Sequence, residues 1–149
     1  GQNGIEVLKM SNENDISNND FLIQNTAIKI NSALNSSIHQ NNITATNIAI
    51  EIDGYIGNLS IHQNEVVSTH FINQTVTYRP SDQKVNGQIS ENTVSCQKDA
   101  ILLTNNVEKL EISFNNFSIE QGEIVAINEI IKPSIENINI AFIRTKVII

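Results

Sequence analysis

Three histidines, one cysteine and thirteen serines are the residues in this chain with the chemistry for nucleophilic or metal-assisted reactions. Zinc takes three or four N, S or O ligands, and His39, His62 and His70 supply three imidazoles, with His62 and His70 close enough in sequence for the same or adjacent strands. No HExxH spacing and no second Cys accompany them, so solvated or hydrogen-bonded strand histidines are the expectation. Cys96 adjoins no His or charged residue that would lower its pKa, and a lone Cys of that kind is usually a small buried hydrophobe. A Ser-His-Asp set needs an anchoring elbow of the Gly-x-Ser-x-Gly kind, and none occurs. The carboxylate pairs Glu108/Glu111 and Glu120/Glu123 have ordinary strand spacings, and calcium loops of the D-x-D-x-D-G kind are missing. Asn-x-Ser/Thr sequons occur at Asn35, Asn42, Asn58, Asn73 and Asn116. With 23 Asn and 22 Ser or Thr in 149 residues, chance gives about 3.4, so five say nothing of glycosylation. The sequence therefore assigns no catalytic, cofactor-binding or metal-ligating residue, and no cofactor.

The chain's composition narrows its partners. A formal net charge of −7 with nine scattered basic residues excludes a phosphate-binding stripe, since nucleic-acid affinity comes from Lys and Arg releasing counterions. No small-molecule substrate is indicated either. No run approaches the roughly 20 apolar residues of a membrane span, and a single Cys allows no intramolecular disulfide. The length fits one globular domain over residues 1–149. Ile outnumbers Leu by 27 to 7 and Asn reaches 23. β-Branched Ile suits strands, whereas Asn suits turns because its amide bonds nearby backbone and it tolerates positive φ.

The elements follow from spacing. Ile5–Met10 reads as a first strand and Ser11–Asn19 as a polar loop. From Phe21 to Gln40, Ile23, Ala27, Ile30, Leu34 and Ile38 form one helical stripe with Asp20 as N-cap. Ile48, Ile50 and Ile52 alternate up to Asp53-Gly54, a hairpin signal with the chain returning through Tyr55–Ile61. Glu65–Tyr78 gives one or two strands split near Asn73-Gln74, closed by Arg79-Pro80. Asn86-Gly87 marks a further turn. Ala100–Leu103, Val107–Phe114, Gly122–Ile131 and Ile135–Ile149 supply the remaining strands, with Leu110, Ile112 and Phe114 sharing one buried face. The sum is an α+β layout, an early helix followed by mostly antiparallel sheet. Ser37-Ile38-His39-Gln40-Asn41 is echoed at Ser60-Ile61-His62-Gln63-Asn64, and in so Ile- and Asn-rich a chain coincidence is the expected reading.

Leu102–Phe114, LLTNNVEKLEISF, followed by Ile138–Lys146, INIAFIRTK, resembles the closing half of the larger minor pilins of type IV pili and the J-type pseudopilins of type II secretion. The resemblance begins near Val76-Thr77-Tyr78-Arg79 and is carried by apolar positions. It implies a pilin-like head whose sheet packs on the C-terminal half of an apolar helix, with Gly1-Gln2-Asn3-Gly4 marking the boundary of a head separated from that helix. It further implies a structural subunit that primes a pilus or pseudopilus tip complex by packing without chemistry. Its partners would be other minor pilins or pseudopilins and the major pilin. The absent helix would anchor it in the inner membrane of the cell envelope, head outward, and later in the filament. Cys96 departs from the disulfide several members carry. The alternative is an adhesin-like β-sandwich binding module on a cell or phage surface. An envelope hydrolase, the third class, lacks a recognisable site.

Overall fold

Each strand's apolar positions reappear one circuit of the chain later, and that recurrence builds the fold. The computed structural model describes residues 3–8, 11–75, 85–103, 107–127, 138–141 and 144–147. Eighteen strands and no helix occur among them, and every strand pair is parallel. They follow in six coils. The first holds β1 (Asn3–Val7), β2 (Ser11–Asn12), β3 (Asp15–Ser17) and β4 (Asp20–Ile23). The second holds β5 (Thr26–Leu34), β6 (Ser37–His39) and β7 (Asn42–Ala45), and the third β8 (Ile48–His62) and β9 (Glu65–Ser68). β10 (His70–Thr75), β11 (Val85–Ser90) and β12 (Thr93–Cys96) form the fourth. β13 (Ile101–Leu103), β14 (Val107–Ser113) and β15 (Asn116–Ile119) form the fifth, and β16 (Val125–Ile127), β17 (Ile138–Ala141) and β18 (Arg144–Val147) the sixth.

Stacked coils make two sheets. A 12-stranded sheet bends around two faces, and a 6-stranded sheet ordered β18-β15-β12-β9-β7-β4 makes the third. The molecule is a parallel β-solenoid. Parallel strands side by side need a long return path, and here the path is the remainder of each coil. Ile28 pairs with Ile50 and Ile50 with Ile72, steps of 22 residues. On the third face Phe21, Ile43, Val66, Val94 and Phe117 stand in register, separated by 22, 23, 28 and 23 residues. Inward side chains thus form continuous apolar columns, with Ile28, Ile30, Ile38, Ile50, Ile61, Ile72 and Ile101 all at most 1 % exposed. Like residues on successive rungs pack flush, so stacked Ile fills most of the interior, with Phe71 and Phe117 the largest fully buried side chains.

This overturns the α+β layout. Residues 21–40 are not a helix but β4, β5 and β6. Ile28 and Ile30 alternate at the strand period and lie at 0 % exposure against Ile50 and Ile52. Inter-coil pairing outweighs the loose helical stripe, in which β-branched residues and Asn propagate poorly. Asp53-Gly54 does not make a hairpin. Gly54 does hold a positive φ of 77°, but the chain turns a corner there within β8 and continues parallel to β5, whose register shifts at Asn31/Ala33. Asn86-Gly87 lies inside β11, the predicted loop 11–19 contains β2 and β3, and the split in 65–75 falls at Thr69. β12 and β15 have no counterpart among the expected strands. Met10, Arg79-Pro80 and Lys132-Pro133 fall outside the described residues.

The strand carrying the pilin resemblance is β14. Its Leu110 and Ile112 are buried at 4 % and 0 %, but Phe114 is 60 % exposed. Phe114 follows the end of β14 and has φ of 56°, so the alternation stops one residue short of it. The exposed Phe is a turn residue, not a core residue.

Candidate functional site

The five-residue echo is structural. Ser37, Ile38 and His39 pair with Ser60, Ile61 and His62 one coil later. Asp15-Ile16-Ser17-Asn18-Asn19, Gln88-Ile89-Ser90-Glu91-Asn92 and Glu111-Ile112-Ser113-Phe114-Asn115 occupy the same corner of other coils, so the signal was x-Ile-x-x-Asn at five places. Each unit ends in a turn whose fourth residue, Asn18, Gln40, Gln63, Glu91 or Phe114, has φ between 53° and 57°. L-residues visit that region at a cost, and the following Asn fixes it. Asn41 Nδ2 donates to Asn64 Oδ1 at 3.0 Å, Asn64 Nδ2 to Asn92 Oδ1 at 3.0 Å, and Asn92 Nδ2 to Asn115 Oδ1 at 2.9 Å. The same oxygens accept the preceding coil's backbone N–H at 3.0–3.1 Å. Each Nδ2 also reaches back to the motif Ile carbonyl, as in Asn64 to Ile38 at 2.9 Å and Asn92 to Ile61 at 3.0 Å. Asn41, Asn64, Asn92 and Asn115 are at most 2 % exposed. They are a buried amide ladder, and its job is to close the corner.

The candidate chemical residues are held in comparable ways. The His39 and His62 rings stack 4.8 Å apart and within 1° of parallel. His39 Nε2 lies 3.0 Å from Asp15 Oδ1, and His62 Nε2 lies 3.5 Å from Ser37 Oγ. His70 stands on another face, where its Nδ1–H donates to the Asp99 carbonyl at 2.7 Å. The three imidazoles do not converge, and among the described residues no three His, Cys, Asp or Glu side chains are arranged around a metal. Cys96 faces inward at 2 % exposure with its Sγ 3.9 Å from Ser68 Oγ. Burial pushes its thiol up to about 11, against the bond from Ser68, so it is protonated and unreactive at neutral pH. Glu120 and Glu123 are exposed. At the sequons, Asn58 Nδ2 donates to Asn35 Oδ1 at 3.0 Å and Asn35 Nδ2 to Asn12 Oδ1 at 3.2 Å, an exposed ladder along a second edge.

What the outer surface offers is concave rather than reactive. A trough of about 250 Å³ lies along the edge of the third face. Its outer wall is the in-register row Thr44, Val67 and Ser95. Thr46, Gln97 and Glu120 line the turn side, over a buried floor that includes Ser68 and Cys96. Thr69 fixes the turn side, its hydroxyl bonding the Thr46 carbonyl at 2.7 Å and Gln97 Oε1 at 3.3 Å. Strand alternation places Thr44, Val67 and Ser95 outward while Ile43, Val66 and Val94 point inward. Hydroxyls, an amide, one carboxylate and an exposed Val make a surface for hydrogen bonding and apolar contact. No protein-family model, curated protein or solved structure matches this chain.

Proposed function

We propose that the chain is a non-enzymatic binding module of a cell or phage surface, adhesin-like in role, with a rigid solenoid as the scaffold. The observation that carries this reading is the division of labour among its polar residues. Imidazoles, thiol and buried amides are engaged in stacking, burial or corner closure, while the trough presents hydroxyls, an amide and one carboxylate across successive coils. A solenoid in which each coil touches only its neighbours produces such elongated surfaces. The minor-pilin role is the alternative, but its warrant was a strand pattern that coil stacking explains without a helix beneath the sheet. Fluorescently labelled protein incubated with intact cells, together with a gene deletion, separates the two. Saturable cell binding, with piliation, DNA uptake and secretion normal in the deletion strain, supports the binding module. Loss of piliation, DNA uptake or secretion, with crosslinks to pilin-like proteins, would replace it with the pilin role.

A further inference from the structure

The surface-binding reading leaves the ligand open, and the trough's shape and chemistry narrow it. Its lining comes from four successive coils, through Thr44, Val67, Ser95 and Glu120. Its long direction therefore follows the coil stack, and with rungs about 4.8 Å apart it extends about 14 Å. A polymer laid along that direction meets an equivalent set of groups at every rung, and one rung is comparable to the advance of one ring in an extended sugar chain.

We propose that the trough holds an uncharged polysaccharide strand running parallel to the solenoid axis. Thr44, Thr46 and Ser95 give hydroxyls that both donate and accept, as sugar hydroxyls require. Gln97 adds an amide oriented by Thr69, which lowers the entropy cost of engaging it. Val67, 53 % exposed, provides an apolar step for the C–H face of a ring. Among the described residues no Lys, Arg or His lines the trough, so a sulfated or uronic chain finds no cation in that lining. Glu120 accepts strong hydrogen bonds from hydroxyls and repels anions. An extended peptide fits less well, because strand addition needs an open sheet edge. The β7, β9 and β12 backbones under the trough are already paired with their neighbours.

The test titrates the purified chain with neutral linear glucan, mannan, galactan and N-acetylglucosamine oligomers of increasing length, read by calorimetry. Binding to at least one series should strengthen with length and level off near four units, the number of coils lining the trough. Ser95→Trp, which fills the trough, should weaken it about tenfold or more, while Gln88→Ala on the opposite sheet leaves it unchanged. Far-UV circular dichroism confirms that both variants fold. Labelled protein is then applied to cells treated with periodate, which cleaves sugar diols, or with protease. Periodate-sensitive, protease-resistant binding supports the proposal. Failure of every neutral oligomer, or preference for sulfated chains, overturns it. If cells are still bound through a protease-sensitive receptor, the glycan assignment fails and the surface-binding module stands. If no cell is bound either, both fail.

Discussion

Replacing Asn64 by alanine should test the amide ladder most directly. Its Oδ1 accepts from the Asn41 backbone at 3.1 Å and the Asn41 amide at 3.0 Å, while its Nδ2 donates to the Ile38 carbonyl at 2.9 Å. The same Nδ2 also donates to Asn92 Oδ1 at 3.0 Å and to the His62 carbonyl at 3.1 Å. Alanine removes all five bonds at a corner where Asn41 and Asn64 are 2 % exposed and water has little access. Leaving a buried donor or acceptor unsatisfied costs about 1–3 kcal/mol each. Asn41 Nδ2 keeps the Ile16 carbonyl and Asn92 Oδ1 keeps the Asn64 backbone N–H. The other three groups, with partial relaxation, give a loss of about 4 kcal/mol, a large share of the 5–15 kcal/mol typical of a domain. The control is Asn47→Ala, which removes an amide bond of similar length, 3.1 Å to Asn25, but on an exposed edge. That loss should stay within about 0.5–1 kcal/mol. Guanidinium unfolding followed by circular dichroism gives both numbers. Because a solenoid can open coil by coil, amide exchange at Gln63 and Glu65 should show whether opening is local. Equal, small losses for Asn64→Ala and Asn47→Ala would refute the claim that burial gives the ladder its weight.

Three further outcomes follow from particular contacts. Phe114→Ala should cost less than about 1 kcal/mol in the same unfolding assay, since the ring is 60 % exposed; a loss of about 3–5 kcal/mol would return Phe114 to the core. Cys96, raised to about 11 by burial, should resist iodoacetamide at pH 8 in the folded protein and react after denaturation. The thiol's pKa in the fold lies above its ordinary value of 9.0, so its contribution to stability is present below pH 9 and lost as pH rises toward 11. Rapid native-state labelling would contradict the burial. Gly87→Ala in β11 should destabilise by more than about 1 kcal/mol and lower the melting temperature, because a Cβ there runs into the Leu59 carbonyl oxygen of the adjacent coil. An unchanged melting temperature would show that the coils can spread.

A strand-rich composition, the strand period around Ile48–Ile52 and the inward placing of Leu110 and Ile112 were legible in the residues, because β-branched side chains and period-two alternation act locally. So was the positive φ at Gly54. Residues 21–40, by contrast, read as a helix and are β4, β5 and β6. What local chemistry left open was the partner of each strand. A hairpin and a coil both need Gly54's positive φ at the turn and Ile alternation beside it; they differ only in whether the next strand returns antiparallel or advances to stack one coil along. Twenty-two-residue matching between Ile28, Ile50 and Ile72 decides that question, and no window of a few residues contains it. The Asn of x-Ile-x-x-Asn was visible only as one of 23 Asn in the chain. Its role came only from burial, since an amide with every group paired along a ladder is structural, while the same amide in water at Asn47 is nearly neutral. The trough has no sequence signature at all. Thr46, Ser95 and Glu120 lie in different coils, and only the stacking of those coils makes them neighbours.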